Sequence, residues 1–231
     1  MKKIGIIGGV SWHSTSQYYS IINQTTNKLT KGEHLAECMI HSVDFSKIEK
    51  LQETENWKEI TKLFIDIAKK LEDYGAGIIV MSSNTCHKVY KAVQKEIKVP
   101  IYHIVDPTGE KIQKLGLKKV GLLGTRFIME EEFYKNRLFA NYGVKSIIPA
   151  MNQRNYIHKL IFRDLSLGRS SKENKEKLKK IIDSMVERGA EGIILGCTEL
   201  NMAIKQLQYD IPIFDTAVIH AKAVVKLALE D

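Results

Sequence analysis

Residues 77–85, GIIVMSSNT, and residues 192–199, GIILGCTE, are two versions of one phrase: a glycine, a run of large aliphatic residues, then an abrupt polar cluster. Two more pairs flank them in the same order. KKIGIIGG from Lys2 returns as KKVGLLGT from Lys118, and VPIYHI from Val99 returns as IPIFDT from Ile211. The members of each pair stand about 115 residues apart, so the chain reads as a tandem of two halves built on one plan.

A short aliphatic run bounded by Gly, Ser, Asn or Thr has the length and flanks of a strand buried on both faces. Eight such runs are predicted: Ile4 to Ile7, Cys38 to His41, Ile78 to Met81, Ile101 to His103, Val120 to Leu123, Ser146 to Ile148, Ile193 to Leu195, and Ile213 to Phe214. The segments between them carry helical period, as in Trp57, Ile60, Leu63, Phe64, Ile67 and Leu71, spaced by three or four. Apolar strands alternating with helices predict an α/β protein with parallel sheets covered on both faces. The duplication makes this two pseudo-symmetric lobes, each a parallel sheet flanked by helices, with the active site expected in the cleft between them. Residues 1–102 are expected to form the first lobe and 103–214 the second, with a C-terminal helix over 215–231 packing back on the first.

The chain has 231 residues, 44% of them hydrophobic, and 35 Lys and Arg against 27 Asp and Glu give it a net charge of +8. A basic balance raises nucleic acid as a partner. Lysines interleaved with glutamates, as in KENKEKLKK over 172–180, instead read as solvated helix faces, and no nucleic-acid partner is expected. No apolar run reaches the roughly 18 to 20 residues of a membrane span, and the opening KKIGIIGGV is too short and too soon polar for a secretory signal. A cytoplasmic protein without membrane partners is expected. Cys38, Cys86 and Cys197 form no C-x-x-C pair, so free thiols are expected, with neither disulfides nor a metal site. Gly8-Gly9 lacks the G-x-G-x-x-G pattern of a dinucleotide loop.

In parallel sheets, ligands sit beyond the carboxyl ends of the strands, and four polar clusters fall there: Gly8 to Ser11, Ser83 to Thr85, Gly124-Thr125, and Cys197 to Glu199. Cys197 follows a buried strand and opens a predicted helix, whose free N–H groups are expected to lower the thiol pKa from about 8.5. The plain alternative is a buried cysteine serving as a small hydrophobe. Ser83 holds the matching place in the first half, where it either caps the following turn or relays a proton. His87, four residues on, is either its partner or a structural histidine, and Cys86 either packs inward or offers a second thiol. Asn84, Thr85 and Thr198, with the N–H groups around them, suit a carboxylate and equally suit capping.

The stretches GGVSWHST from Gly8, HSVDF from His41, SSNTCH from Ser82, GTRFIME from Gly124 and GCTE from Gly196 resemble the aspartate/glutamate racemase family. The resemblance spans nearly the whole chain and is nearest to the branch that is L-aspartate/glutamate-specific or of broad specificity. It implies a two-lobed, pseudo-symmetric α/β enzyme acting on a small amino-acid substrate. No cofactor is implied, whether pyridoxal phosphate, metal or nucleotide, and there is room for a homodimer. By that likeness Cys197 is the acid/base of the second lobe, and Ser83 stands where many members have cysteine and the nearest branch often has threonine. Asn84, Thr85 and Thr198 are implied to hold the α-carboxylate, with Val10 and Gln52 at substrate-contacting positions. The chain departs from the pattern at Val10, where methionine is usual, and at His13, where glutamate is usual.

The function expected is thus cofactor-independent racemisation of aspartate or glutamate by two-base proton transfer at the α-carbon. Two other classes stay open. One is a single-thiol decarboxylase or isomerase of a dicarboxylate in the same superfamily, and the other is a silent carboxylate-binding protein.

Overall fold

A computed structural model describes residues 1–204 and 209–230. The chain divides into two compact units, one made of Met1–Ile104 with His220–Asp231 and the other of Val105–Ile219.

The first unit is built on three parallel strands, β1 (Ile4–Gly8), β2 (Cys38–Ser42) and β3 (Ile78–Met81), in the order β2-β1-β3. β1 and β3 are buried at every residue, as a central parallel strand covered on both faces requires. The register pairs Ile7 with Met81, so the loops leaving these two strands emerge side by side. The Trp57–Asp73 helix is capped by Asn56, whose side chain accepts the Glu59 N–H at 3.3 Å. It buries Ile60, Phe64, Ile67 and Leu71, the stripe its spacing predicts, in a core that also holds Ile7, Ile79, Met81 and Cys86.

The run from Ile101 to His103 yields only a single parallel bridge, Ile79 to Ile101. Pairing stops because Ile104 turns its N–H to the His87 ring at 3.2 Å and the chain enters the Val105–Lys114 helix.

In the second unit β4 (Lys119–Gly124), β5 (Lys145–Ile147), β6 (Ile193–Gly196) and β7 (Ile213–Asp215) pair in parallel in the order β5-β4-β6-β7. The expected α/β class, with parallel sheets flanked by helices, is therefore present in both units. The core of this unit gathers Leu123, Ile157, Leu178, Ile182, Ile193 and Leu195, with Cys197 at its margin. Gly124 pairs with Gly196 where the two central strands end. A Cβ on Gly124 would stand 3.0 Å from the Gly196 carbonyl oxygen and 2.9 Å from the Ile128 side chain, so the paired glycines let the loops beyond approach closely.

The last helix, Thr216–Leu229, begins in the second unit, where the Thr216 hydroxyl donates to the Leu195 carbonyl at 2.8 Å. From His220 onward it belongs to the first, where the Ala228 carbonyl accepts the Lys2 N–H at 2.7 Å. No helix among the described residues is long and apolar enough to cross a membrane.

Candidate active site

Cys197 follows β6 directly and is buried. Its Sγ–H donates to Glu199 Oε2 at 3.0 Å, and the Thr198 hydroxyl donates to the same oxygen at 2.6 Å. Glu199 is itself buried, and its Oε1 meets no hydrogen-bond partner among the described residues. Burial raises the Cys197 pKa well above the ordinary thiol value, and the charge and hydrogen bond of Glu199 push it the same way.

The expected lowering by a helix start is therefore corrected. The backbone N–H groups of Glu199 and Leu200 do pull the thiol downward, as such a terminus would, but burial and the adjacent carboxylate outweigh them. The helix itself, Leu200–Ile204, has only five residues, too few for a strong dipole. Cys197 is a neutral thiol at rest, hydrogen-bonded to a group able to take its proton.

Across the β4–β6 pairing, Thr125 caps the Arg126–Glu130 helix, its side chain accepting the Ile128 N–H at 3.4 Å. The Arg126 N–H donates to His158 Nδ1 at 3.3 Å. Thr125 and Arg126 therefore lie next to Cys197 and Thr198 at one end of the sheet.

In the first unit, Ser83 follows β3 and is half-buried. Its Oγ accepts the Cys86 N–H at 3.4 Å, so the capping reading holds, and its carbonyl accepts from His87 Nδ1 at 2.8 Å. Cys86 points into the core, where burial pushes its thiol up to about 12 while a hydrogen bond from Ser83 pulls it down. Gln52 is buried on the Phe45–Glu53 helix with Nε2 4.0 Å from that sulfur. Asn84 and Thr85 are buried at the start of the Thr85–Val89 turn, and Val10 packs on the same core.

The loop after β1 is fixed by hydroxyls. Gly9 has φ 85, and a Cβ there would collide with the Val43 backbone, so only glycine fits. The Gly9 N–H donates to Thr15 Oγ1 at 2.9 Å, and that oxygen lies 3.2 Å from Ser82 Oγ. The Ser14 hydroxyl donates to the Ser82 carbonyl at 2.6 Å. Val10, Gln52, Ser83, Asn84 and Thr85 are thus assembled in one unit, and Cys197 with Thr198 in the other. Among the described residues no group of three His, Cys, Asp or Glu side chains is arranged to hold a metal.

Residues 7–224 match the Asp/Glu/Hydantoin racemase family. The chain belongs to that family. The broad specificity amino-acid racemase RacX of Bacillus subtilis (strain 168) is 29% identical to this family member over 182 residues, covering 74% of this chain and 73% of RacX. Among solved structures, an aspartate racemase homologue from Pyrococcus horikoshii OT3 matches with a TM-score of 0.85 at 38% identity, covering 100% of both chains. The aspartate racemase of Picrophilus torridus matches with a TM-score of 0.78 over 98% of this chain and 94% of its own. At 24% identity this last likeness speaks for the fold alone.

Two residues of the site were undervalued in the sequence. Glu199 stands in GCTE as a polar neighbour of Cys197, and nothing in a linear motif says that its carboxyl folds back onto the sulfur. His87 shows its reach to Ser83 by the spacing of four, but which atom of Ser83 it meets is a matter of backbone geometry.

Proposed function

We propose that this racemase-family protein is a cytoplasmic isomerase that interconverts the enantiomers of an acidic amino acid, aspartate or glutamate, using its own side chains as acid and base. The observation that carries the reading is the Cys197 thiol hydrogen-bonded at 3.0 Å to a buried Glu199 carboxyl at the carboxyl end of a central strand. A core cysteine has no use for a buried carboxyl partner, whereas an acid/base thiol needs somewhere to pass its proton.

In this reading Glu199 Oε2 takes the Cys197 proton as the sulfur removes the substrate α-proton, breaking the Cα–H bond and forming S–H. The electron pair left at Cα delocalises into the α-carboxylate, where hydrogen-bond donors must meet the growing charge. Asn84, Thr85 and Thr198 are the side chains we assign to that carboxylate, with Val10 and Gln52 bordering the substrate. Ser83 then returns a proton to the opposite face of Cα, its O–H bond breaking as the new C–H bond forms, and the alkoxide left behind takes a proton from water while Glu199 gives up the one it received.

The two acids are unequal. Among the described residues Ser83 Oγ meets the Cys86 N–H and the neutral Cys86 thiol, and both His87 nitrogens are engaged with backbone, so His87 does not stand as a base against the Ser83 hydroxyl. That asymmetry also favours a second reading, decarboxylation or isomerisation of a dicarboxylate by Cys197 alone. Chiral analysis of product from each enantiomer of aspartate and glutamate, with Cys197→Ala as control, tests both. Interconversion lost in the variant supports the racemase; consumption of a dicarboxylate without any change of hand replaces it with the second reading.

A further inference from the structure

Three histidines are packed together inside the first unit, outside the groups assigned to chemistry. The His87 and His103 rings are 4.6 Å apart, and those of His87 and His220 are 5.8 Å apart. All three are buried. His87 Nδ1 lies 2.8 Å from the Ser83 carbonyl oxygen, and its Nε2 lies 3.2 Å from the Ile104 N–H. These partners fix the proton. A backbone N–H can only donate, so Nε2 is the bare acceptor; the imidazole is then neutral with Nδ1–H, which a carbonyl oxygen can only accept.

His220 is locked in the opposite sense. Its Nε2–H donates to the Tyr102 carbonyl at 2.9 Å, and its Nδ1 accepts from the Tyr18 hydroxyl at 2.8 Å. The His220 ring therefore forms a fixed wall beside His87, and His103, edge-on to Tyr90 at 4.7 Å, forms another. His87 has neither a free rotamer nor a free tautomer.

We propose that His87 is the positioning residue of the Ser83 turn: its neutral ring ties the Ser83 carbonyl to the Ile104 N–H and thereby aims the Ser83 hydroxyl at the substrate. The inference rests on the reading of Ser83 as a proton-transfer group. It differs from a role as a base, because neither nitrogen is directed to the Ser83 hydroxyl. A carbonyl held from one side sets the plane of the following peptide, and with it the orientation of the N–H groups of the Asn84–Thr85 turn. Misplacing a proton donor by about 1 Å costs on the order of a hundredfold in rate.

The experiment measures exchange of the substrate α-proton for solvent deuterium, separately for the two enantiomers. Ser83→Ala first identifies the exchange that depends on Ser83. His87→Asn keeps a donor at the Nδ1 position, and His87→Gln keeps an acceptor at the Nε2 position but loses the tie to Ser83. The expected result is a loss of at least tenfold in the Ser83-dependent exchange for His87→Gln, substantial rescue in His87→Asn, and unchanged exchange of the other enantiomer in both. Equal losses for both enantiomers indicate a merely structural histidine and overturn the proposal, as does undiminished exchange in His87→Gln. If Ser83→Ala changes neither exchange, the role of Ser83 fails and the proposal falls with it, a result distinct from failure at His87 alone. Should the variants not fold, nitrogen chemical shifts of histidine in the unaltered protein decide: a His87 ring protonated at Nε2 overturns the assignment, and one protonated at Nδ1 supports it.

Discussion

The Cys197 thiol and the Glu199 carboxyl share one hydrogen bond of 3.0 Å, and they share it in a place where neither is solvated. A thiol beside a buried carboxylate is harder to ionise, yet the same carboxylate is the nearest acceptor for its proton. Glu199 therefore raises the cost of a free thiolate and, in the proposed mechanism, is the local acceptor of the sulfur's proton.

Replacing Glu199 by Gln separates these two effects. The charge and hydrogen bond that push the Cys197 pKa upward are weakened, so the thiol should titrate at lower pH, read as thiolate absorbance in the ultraviolet against a Cys197→Ala blank. Turnover should nevertheless fall by about 10²-fold, the ordinary contribution of a positioned acid/base. A variant with more thiolate and more turnover would show that Glu199 only restrains the sulfur.

The pH profile of the unaltered protein follows from the same pair. Because burial and Glu199 hold the Cys197 pKa well above that of an ordinary thiol, the sulfur is protonated through neutral pH. Because Glu199 takes the Cys197 proton inside the site, turnover needs no ionisation to solvent and should stay level from neutral pH up to the ordinary thiol value. A turnover that climbs with pH across that range would mean that the proton leaves to solvent rather than to Glu199.

The two buried cysteines should behave differently. Cys197→Ala should abolish α-proton exchange from one face. Cys86→Ala should keep exchange on that face and cost stability instead, about 1 to 2 kcal/mol for a small buried side chain, read as a lower urea midpoint. Loss of the opposite-face exchange alone in a folded Cys86→Ala would make Cys86 the first unit's acid, acting through the Ser83 hydroxyl that bonds to it.

Much of the fold was legible because a buried parallel strand writes itself in consecutive aliphatic residues, and seven of the eight predicted runs are strands. The eighth failed at a point that local pattern cannot show: Ile101 makes its bridge, but the Ile104 N–H is claimed by a histidine 17 residues earlier. Cys197 shows the same limit in its chemistry. The N–H groups expected to acidify it are present, but the opposing term depends on how deeply the loop is buried and on the side-chain rotamer of Glu199, both products of packing. For Ser83 the sequence allows two readings, of which capping is one, and its bond to the Cys86 N–H is within reach of the sequence because it needs only the next three residues.

The last prediction concerns acid stability. His220 is buried between Tyr18 and the Tyr102 carbonyl, and burial brings its pKa down to about 3 against the ordinary 6.5. Between those values an unfolded chain carries a proton on His220 that the folded chain excludes. The stabilisation is therefore complete above about pH 6.5 and is lost progressively as pH falls toward 3. Replacing His220 by Gln removes this titration together with the tie to Tyr18. The variant should be less stable at about pH 7.5, and the gap to the unaltered protein should narrow as the pH is lowered to about 4.5. Urea midpoints of the two proteins at both pH values test this. A gap that stays constant or widens in acid would mean that His220 is protonated in the folded protein, with Nδ1 donating to the Tyr18 hydroxyl instead of accepting from it.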